Sequence, residues 1–76
     1  MEPFMVEVHP SSDPGRSTHE GEEFLFILSG TVVLEYGSQR IELAEGDTVY
    51  YDSIVPHRVL ASGGAAKMLA VVYAPM

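Results

Sequence analysis

The chain has 76 residues, no cysteine, no tryptophan and a formal net charge of −7, from 4 basic and 11 acidic side chains. The length predicts one domain over residues 1–76, and the missing cysteines exclude a disulfide framework or a cysteine-ligated zinc site. Four scattered basic residues are too few to line a phosphate backbone, so we expect no direct contact with DNA or RNA.

Clusters of turn-forming residues divide the chain into short runs rich in Val, Ile, Leu, Phe and Tyr, which is the composition of β-strands. The predicted strands, in chain order, cover residues 4–9, 17–28, 31–36, 39–43, 47–51, 56–61 and 66–74. The two-residue steps Ser29-Gly30 and Gly37-Ser38 have the length and composition of tight hairpins. No stretch combines a 3.6-residue apolar period with helix caps, so we predict an all-β antiparallel sandwich or small barrel.

Apolar residues occupy both faces of the second predicted strand. Alternation places Leu25 and Ile27 on one face and Phe24 and Phe26 on the other. One face is expected to line the barrel interior, and the other to meet a second sheet or a second subunit. A chain of this size keeps about 4,600 Å² of roughly 12,000 Å² exposed when folded, so its own core is marginal. We therefore expect a homodimer.

Polar residues near the start of the same strand are the candidates for chemistry. Alternation directs Ser17, His19 and Glu23 to the face that continues into Leu25, which is the expected interior. A histidine and a carboxylate in an apolar interior need hydrogen bonds, a charge partner or a metal ion. A second histidine, His57, lies near the start of the predicted strand 56–61. A lone interior histidine is more often hydrogen-bonded than metal-bound, so both interpretations stay open.

The spacing of these residues resembles the two conserved motifs of the cupin superfamily. His19-x3-Glu23-x6-Gly30 is similar to the first motif, G-x5-H-x-H-x3–4-E-x6-G. Gly46-x10-His57 is similar to the second, G-x5-P-x-G-x2-H-x3-N. The resemblance implies a small antiparallel double-stranded β-helix, the jelly-roll or cupin barrel. Residues 19–30 and 46–59 look most like the cupin domain that follows a helix-turn-helix in many bacterial transcriptional regulators.

The resemblance also implies a ligand set. In cupins the first motif supplies two histidines and a glutamate to a metal ion, and the second motif supplies a third histidine. Carried over by position, the metal ligands are His19, Glu23 and His57, with Ser17 in place of the first histidine. Two histidines and one carboxylate suit a divalent transition metal such as Fe, Mn, Ni or Zn, and they leave positions open for water or substrate.

Functions from different classes follow from this resemblance. The first is a sensor-type cupin domain that binds a small molecule, with or without a metal ion. The alternative is a small metal-dependent enzyme, such as a dioxygenase, an isomerase or a decarboxylase. The incomplete ligand set, the lack of a further general acid or base, and a chain short for enclosing a substrate pocket favour the sensor. A purely structural dimerisation domain is a third interpretation.

The sequence also predicts where the chain resides. Its apolar runs are far too short to span a bilayer, and Glu2 replaces the basic flank that a signal peptide needs. We therefore expect a cytoplasmic domain that does not contact membranes.

Overall fold

The computed structural model of the chain describes residues 2–10 and 15–73. Within these ranges it contains β-strands and no helix, so the all-β prediction is confirmed, and nothing in them forms a helix able to cross a membrane. The strands are β1 (Glu2–Val8), β2 (Glu22–Ser29), β3 (Thr31–Tyr36), β4 (Gln39–Ala44), β5 (Thr48–Asp52), β6 (His57–Ala61) and β7 (Ala66–Tyr73).

The strands form two antiparallel sheets that face each other. The four-stranded sheet has the order β1-β7-β2-β5, and the three-stranded sheet has the order β4-β3-β6. Most pairings join strands that are distant in sequence, such as β1 with β7 and β3 with β6. This arrangement agrees with the predicted antiparallel β-barrel.

The core lies between the inner faces of the two sheets. Leu25 and Ile27 of β2 point into it and are 1% and 0% exposed, so the parity predicted for this strand is confirmed. Val32 and Leu34 of β3 close the core from the opposite sheet and are fully buried. Alternation leaves the intervening residues of each strand on the outer faces.

The predicted second strand, 17–28, is shorter in the structure. Only Glu22–Ser29 forms the continuous strand, and upstream of it Ser17 makes an isolated bridge to His57. Gly21 has a φ of +114°, a left-handed conformation that interrupts an extended strand and that glycine adopts without steric cost. The segment before Gly21 therefore pairs with β6 instead of continuing β2.

One of the two predicted hairpins is wrong. Gly37-Ser38 does join the paired strands β3 and β4, with Tyr36 opposite Gln39. Ser29-Gly30 instead connects the two sheets, because β2 pairs with β5 and β7 and not with β3. Gly30 has a φ of +81°, and a Cβ there would lie 2.9 Å from the backbone of Ala65 and Ala66. This close approach is the physical reason for glycine at the crossover.

Candidate metal centre

The structure brings the three predicted ligand residues together at one end of the interior. Glu23 lies in β2, His57 begins β6, and His19 lies in the segment before β2. One donor atom from each residue lies within 4.8 Å of the others. The Nε2 atoms of His19 and His57 are 2.7 Å and 3.2 Å from the same oxygen, Glu23 Oε1.

Backbone hydrogen bonds place His19 at the site. Ser17 and His57 exchange two of them, of 2.8 Å and 2.9 Å, so the incoming segment lies antiparallel to the start of β6. Two residues later, the His19 N–H donates to the carbonyl of Ser53 at 3.0 Å. The turn at Gly21 then directs the chain into β2. As a result His19 and Glu23 meet although they do not share one continuous strand.

The other nitrogen of each imidazole faces a backbone carbonyl. His57 Nδ1 lies 2.8 Å from the oxygen of Val55, and the side chain is 6% exposed. His19 Nδ1 lies 3.4 Å from the oxygen of Glu20, a longer contact, and this side chain is 40% exposed. For His57, a proton held on Nδ1 by the Val55 carbonyl leaves Nε2 with its lone pair, which is the arrangement usual for a metal-binding histidine. His19 has only the long Nδ1 contact, and its Nε2–H donates to Glu23 at 2.7 Å.

Two further side chains hold the Glu23 carboxylate. The Tyr51 hydroxyl donates to Oε2 at 2.8 Å, and the Ser53 hydroxyl donates to Oε1 at 3.1 Å. Burial alone would raise the pKa of Glu23, but hydrogen bonds from Tyr51 and His19, the charge of His57 and the Ser53 hydrogen bond outweigh it and lower the pKa. Burial, followed by the Glu23 carboxylate, raises the pKa of Tyr51, so this phenol stays a donor.

Sequence reasoning did not place Tyr51 and Ser53 at the site. The signal for Tyr51 is the strand register, since it lies directly opposite Glu23 in the β2–β5 pair. That register joins residues 28 positions apart and cannot be derived from local patterning.

The contact between His57 and Glu23 needs a positive charge. With Nδ1–H donating to Val55, the neutral imidazole presents a lone pair at Nε2 toward a carboxylate oxygen 3.2 Å away. Two acceptors at this distance repel each other unless a proton or a cation lies between them. The same oxygen also faces His19 Nε2. The centre therefore suits a cation.

The donor spacing fits a metal ion as well. Donors held about 2.1 Å from one ion at right angles lie about 3 Å apart. The two separations from Glu23 Oε1 to the histidine nitrogens, 2.7 Å and 3.2 Å, bracket that value, and all three donor atoms lie within 4.8 Å of one another. Two imidazoles and one carboxylate are ligand types that Fe(II), Mn(II), Ni(II) and Zn(II) accept. On donor chemistry, and on the spacing of each histidine nitrogen from the Glu23 carboxylate, the residues fit the group that the motifs imply.

A cavity of about 410 Å³ adjoins the three residues. Ser17 also lines it, and its wall is mostly apolar, formed by Val6, Leu25, Val59, Met68, Ala70 and Val72. This volume is within the range of about 300–1,000 Å³ typical of small-molecule sites. Although the chain is short for enclosing a substrate pocket, it does form a cavity of this volume.

A second polar cluster lies on the outer face of the three-stranded sheet. Glu35 is 8% exposed and accepts hydrogen bonds from Arg16 at 3.5 Å, Arg40 at 3.1 Å and Arg58 at 2.5 Å. The hydrogen bond from Arg58, which exceeds the opposing effect of burial, and the charges of the three arginines lower the pKa of Glu35. Arg58 lies on the face of β6 opposite His57, as alternation predicts, and Arg16 also donates to the carbonyl of Gly37.

The family of the chain follows from a comparison with protein families. A family profile described as "Cupin domain" matches residues 4–72. The chain belongs to the cupin family. The fold class expected from the two motifs is thereby confirmed.

Individual relatives of this cupin are longer than the chain. The (S)-2-hydroxypropylphosphonic acid epoxidase of Streptomyces wedmorensis is 32% identical over 78 residues, which are 91% of this chain and 39% of the epoxidase. A structure of that epoxidase with fosfomycin has a TM-score of 0.81 at 30% identity, and covers 93% of this chain and 42% of its own. Its iron(II) form with substrate has a TM-score of 0.81 at 31% identity, over 93% and 44%.

A further solved structure resembles the cupin more closely in shape. It is a conserved protein of unknown function from Streptococcus pyogenes, with a TM-score of 0.89 at 27% identity over 97% of this chain and 64% of its own. The chain thus spans about two fifths of the epoxidase it matches. These relatives do not link the cupin to helix-turn-helix regulators, so that part of the resemblance stays a prediction.

Proposed function

We propose that this cupin binds a divalent transition-metal ion through His19, Glu23 and His57, and that metal and cavity together bind a small molecule. The observation that most supports the metal is the orientation of His57. Its Nδ1–H donates to the Val55 carbonyl, and its Nε2 lies 3.2 Å from Glu23 Oε1. A cation bound by both atoms replaces their repulsion with two favourable contacts.

Each part of the centre has a distinct task in this proposal. The bound ion would supply positive charge and open positions at which an oxygen atom of the ligand can bind. Tyr51 and Ser53 fix the Glu23 carboxylate, and the Val55 carbonyl fixes the His57 ring, so the donor atoms are held in place before binding. The apolar wall suits a ligand with a largely apolar body.

The lining of the cavity supports binding without catalysis. Among the described residues that line it, the ionisable groups outside the three proposed ligands are already engaged. Tyr51 donates to Glu23, His9 pairs with Glu7 at 2.9 Å, and Arg58 pairs with Glu35. Glu7 and His9 are 50% and 52% exposed, so this pair faces solvent more than the buried metal centre. A sensor-type binding domain is the function that this lining favours.

A small metal-dependent enzyme is the second candidate. The similarity to the epoxidase supports it, since structures of that enzyme are known with iron(II) and with cobalt(II). The chain covers 39% of the epoxidase, so any activity is a proposal for this chain. Turnover of a small substrate that requires the metal and disappears with Glu23→Ala would favour the enzyme over the sensor.

A regulatory role would follow from the sensor function. In this proposal the cupin acts in the cytoplasm, and occupation of its cavity changes the behaviour of an attached or associated DNA-binding domain. The net charge of −7 supports a separate domain for DNA contact, because acidic surfaces repel phosphates. Resemblance of residues 19–30 and 46–59 to regulator-linked cupins is the support for this role.

Metal binding is tested by titrating chelator-treated protein with Mn(II), Zn(II), Ni(II) and, without oxygen, Fe(II). We expect one ion per chain. At a concentration 100 times the dissociation constant, the ion stabilises the fold by about 2.7 kcal/mol, which raises Tm by roughly 10–20 °C. His19→Ala should weaken binding by more than the 10–100-fold typical of losing an outer-shell partner. His9→Ala is the matched control, since His9 is exposed and pairs only with Glu7 among the described residues.

A gain of affinity would be equally informative. Ser17 lines the cavity beside His57 and is fixed there by two backbone hydrogen bonds. Ser17→His restores the histidine of the first cupin motif and should raise metal affinity at least about tenfold, the size of effect expected from one added contact of about 1.4 kcal/mol. Failure of all four ions to bind, or equal affinities for the His19 and His9 variants, would contradict the proposal.

A further inference from the structure

The outer face of the four-stranded sheet is apolar across all four strands. The register places directly adjacent residues of β1, β7, β2 and β5 in rows that run across the sheet. Two neighbouring rows form what we call the apolar face: Pro3, Val71, Phe24 and Tyr50 in one row, and Met5, Leu69, Phe26 and Thr48 in the next. Thr48 is the single polar residue among these eight.

This face is open in the single chain. Met5 is 70% exposed and Tyr50 is 64% exposed, while Phe24 and Phe26 are only half-buried. No described segment of the chain lies over them. Large apolar side chains gathered on one face, with polar residues around them, mark an interaction surface on soluble proteins.

Charged residues flank the apolar face at its two ends. One end carries carboxylates, with Glu22 directly opposite Asp52 in the β2–β5 pair. The other end carries Lys67, the only lysine of the chain, opposite Glu7 in the β1–β7 pair. The face therefore has an acidic end with two carboxylates and an end with one ammonium and one carboxylate, separated by the two apolar rows.

We infer that the apolar face is the interface with a second copy of this chain. In the dimer, the four-stranded sheets of the two copies pack face to face. The two-fold axis that relates the copies lies between these sheets and runs perpendicular to the strands. This axis places Lys67 of each copy over the acidic end, Glu22 and Asp52, of the other, so the favourable contact forms twice. An axis along the strands would instead bring the two acidic ends together, and like charges across an interface oppose association.

The size of the face suits a small dimer interface. Four strands about 4.8 Å apart and four same-face rows about 6.6 Å apart, the two apolar rows and the charged row at each end, give a footprint of about 19 by 26 Å. The accessible area of the side chains that project from such a footprint is comparable with the roughly 600 Å² per partner buried in the smallest specific interfaces. An apolar centre with charges only at the ends is also the usual anatomy of such an interface.

The inference is tested by sedimentation equilibrium of the chain over about 1–200 μM, with chelator present so that metal plays no part. We expect a species of twice the 8.3 kDa chain mass. Met5→Glu and Tyr50→Glu each place a charge in the apolar rows and should raise the dissociation constant at least about tenfold. Gln39→Glu is the control, because Gln39 is exposed and lies in β4 of the three-stranded sheet, away from the apolar face and from its charged ends.

The orientation has its own test. Lys67→Glu should weaken the dimer, and the double variant Lys67→Glu with Glu22→Lys should restore it, since the exchange recreates the opposite charges. Circular dichroism of each variant checks that the fold is retained. A monomer at 200 μM, a dimer unaffected by both face variants, or a double variant weaker than Lys67→Glu alone would overturn the inference.

Discussion

Tyr51→Phe isolates one hydrogen bond of the proposed metal centre. The Tyr51 hydroxyl donates to Glu23 Oε2 at 2.8 Å, and the tyrosine is 6% exposed. Removing the hydroxyl keeps the packing of the ring. It takes from Glu23 Oε2 the hydrogen bond that Tyr51 donates, in a side chain that is only 12% exposed. The effect should therefore depend on whether Glu23 is ionised.

The magnitude follows from the charge of the acceptor. A hydrogen bond to a charged group contributes about 1.5–3 kcal/mol to stability, and one between neutral groups about 0.5–1.5 kcal/mol. The folded state holds the pKa of Glu23 below its ordinary value of 4.5. Stabilisation by the ionised carboxylate is thus fully present above about pH 4.5 and is lost as the pH falls through the folded-state pKa. The penalty of Tyr51→Phe should shrink by about 1 kcal/mol over that fall.

Urea unfolding with chelator present, at pH 7 and in steps down to about pH 3, measures this change in the free energy of unfolding. Tyr36→Phe is the control, because the Tyr36 hydroxyl donates to the backbone carbonyl of Asp52 at 3.0 Å, an acceptor that does not titrate. Its smaller penalty should stay constant with pH. A Tyr51→Phe penalty that is independent of pH, or equal to that of Tyr36→Phe, would refute the role assigned to the Tyr51–Glu23 hydrogen bond.

Three further predictions concern stability alone. Gly30→Ala should lower the free energy of unfolding by clearly more than Gly46→Ala, as compared by chemical denaturation. Gly46→Ala should cost roughly 1–2 kcal/mol, the cost of a left-handed residue with a side chain. At Gly30 the added Cβ also lies 2.9 Å from backbone atoms, whereas at Gly46 it meets nothing within 4 Å. Glu35→Gln should lower Tm at pH 7 and flatten its fall below about pH 4.5, since the pKa of Glu35 is lowered in the fold; unchanged thermal scans would contradict this. Ile27→Ala, at a side chain 0% exposed, should cost about 2–5 kcal/mol by urea unfolding.

The inner face of β2 could be predicted from the sequence because strand alternation is a local property. Leu25 and Ile27 point inward, and Glu23 follows the same parity. The route by which His19 reaches the site was not predictable in the same way. The alternating pattern is equally compatible with one continuous strand over residues 17–28. The left-handed turn at Gly21 and the bridge between Ser17 and His57 show that the structure interrupts this strand.

The partners of the site residues depend on strand register, which local patterning does not specify. Tyr51 reaches Glu23 because β5 pairs with β2, and Arg58 reaches Glu35 because β6 pairs with β3. The cupin motifs supplied the positions of the ligand residues, since their spacing reflects such long-range pairing. The motifs say nothing about Tyr51, which belongs to neither ligand set, so its hydrogen bond emerged only from the structure.

Both proposals rest on the register of β2, since Glu23 points into the cavity and Phe24 belongs to the apolar face. A slip by one residue would exchange the two faces, so the hydrogen bonds that fix Glu23 opposite Tyr51 also fix Phe24 opposite Tyr50. The two adjacent tyrosines therefore separate the proposals. Tyr51→Phe should alter stability and metal affinity and leave the dimer intact, whereas Tyr50→Glu should weaken the dimer and leave one metal ion bound per chain. One substitution that changed both properties would mean that the two faces of the sheet are energetically coupled.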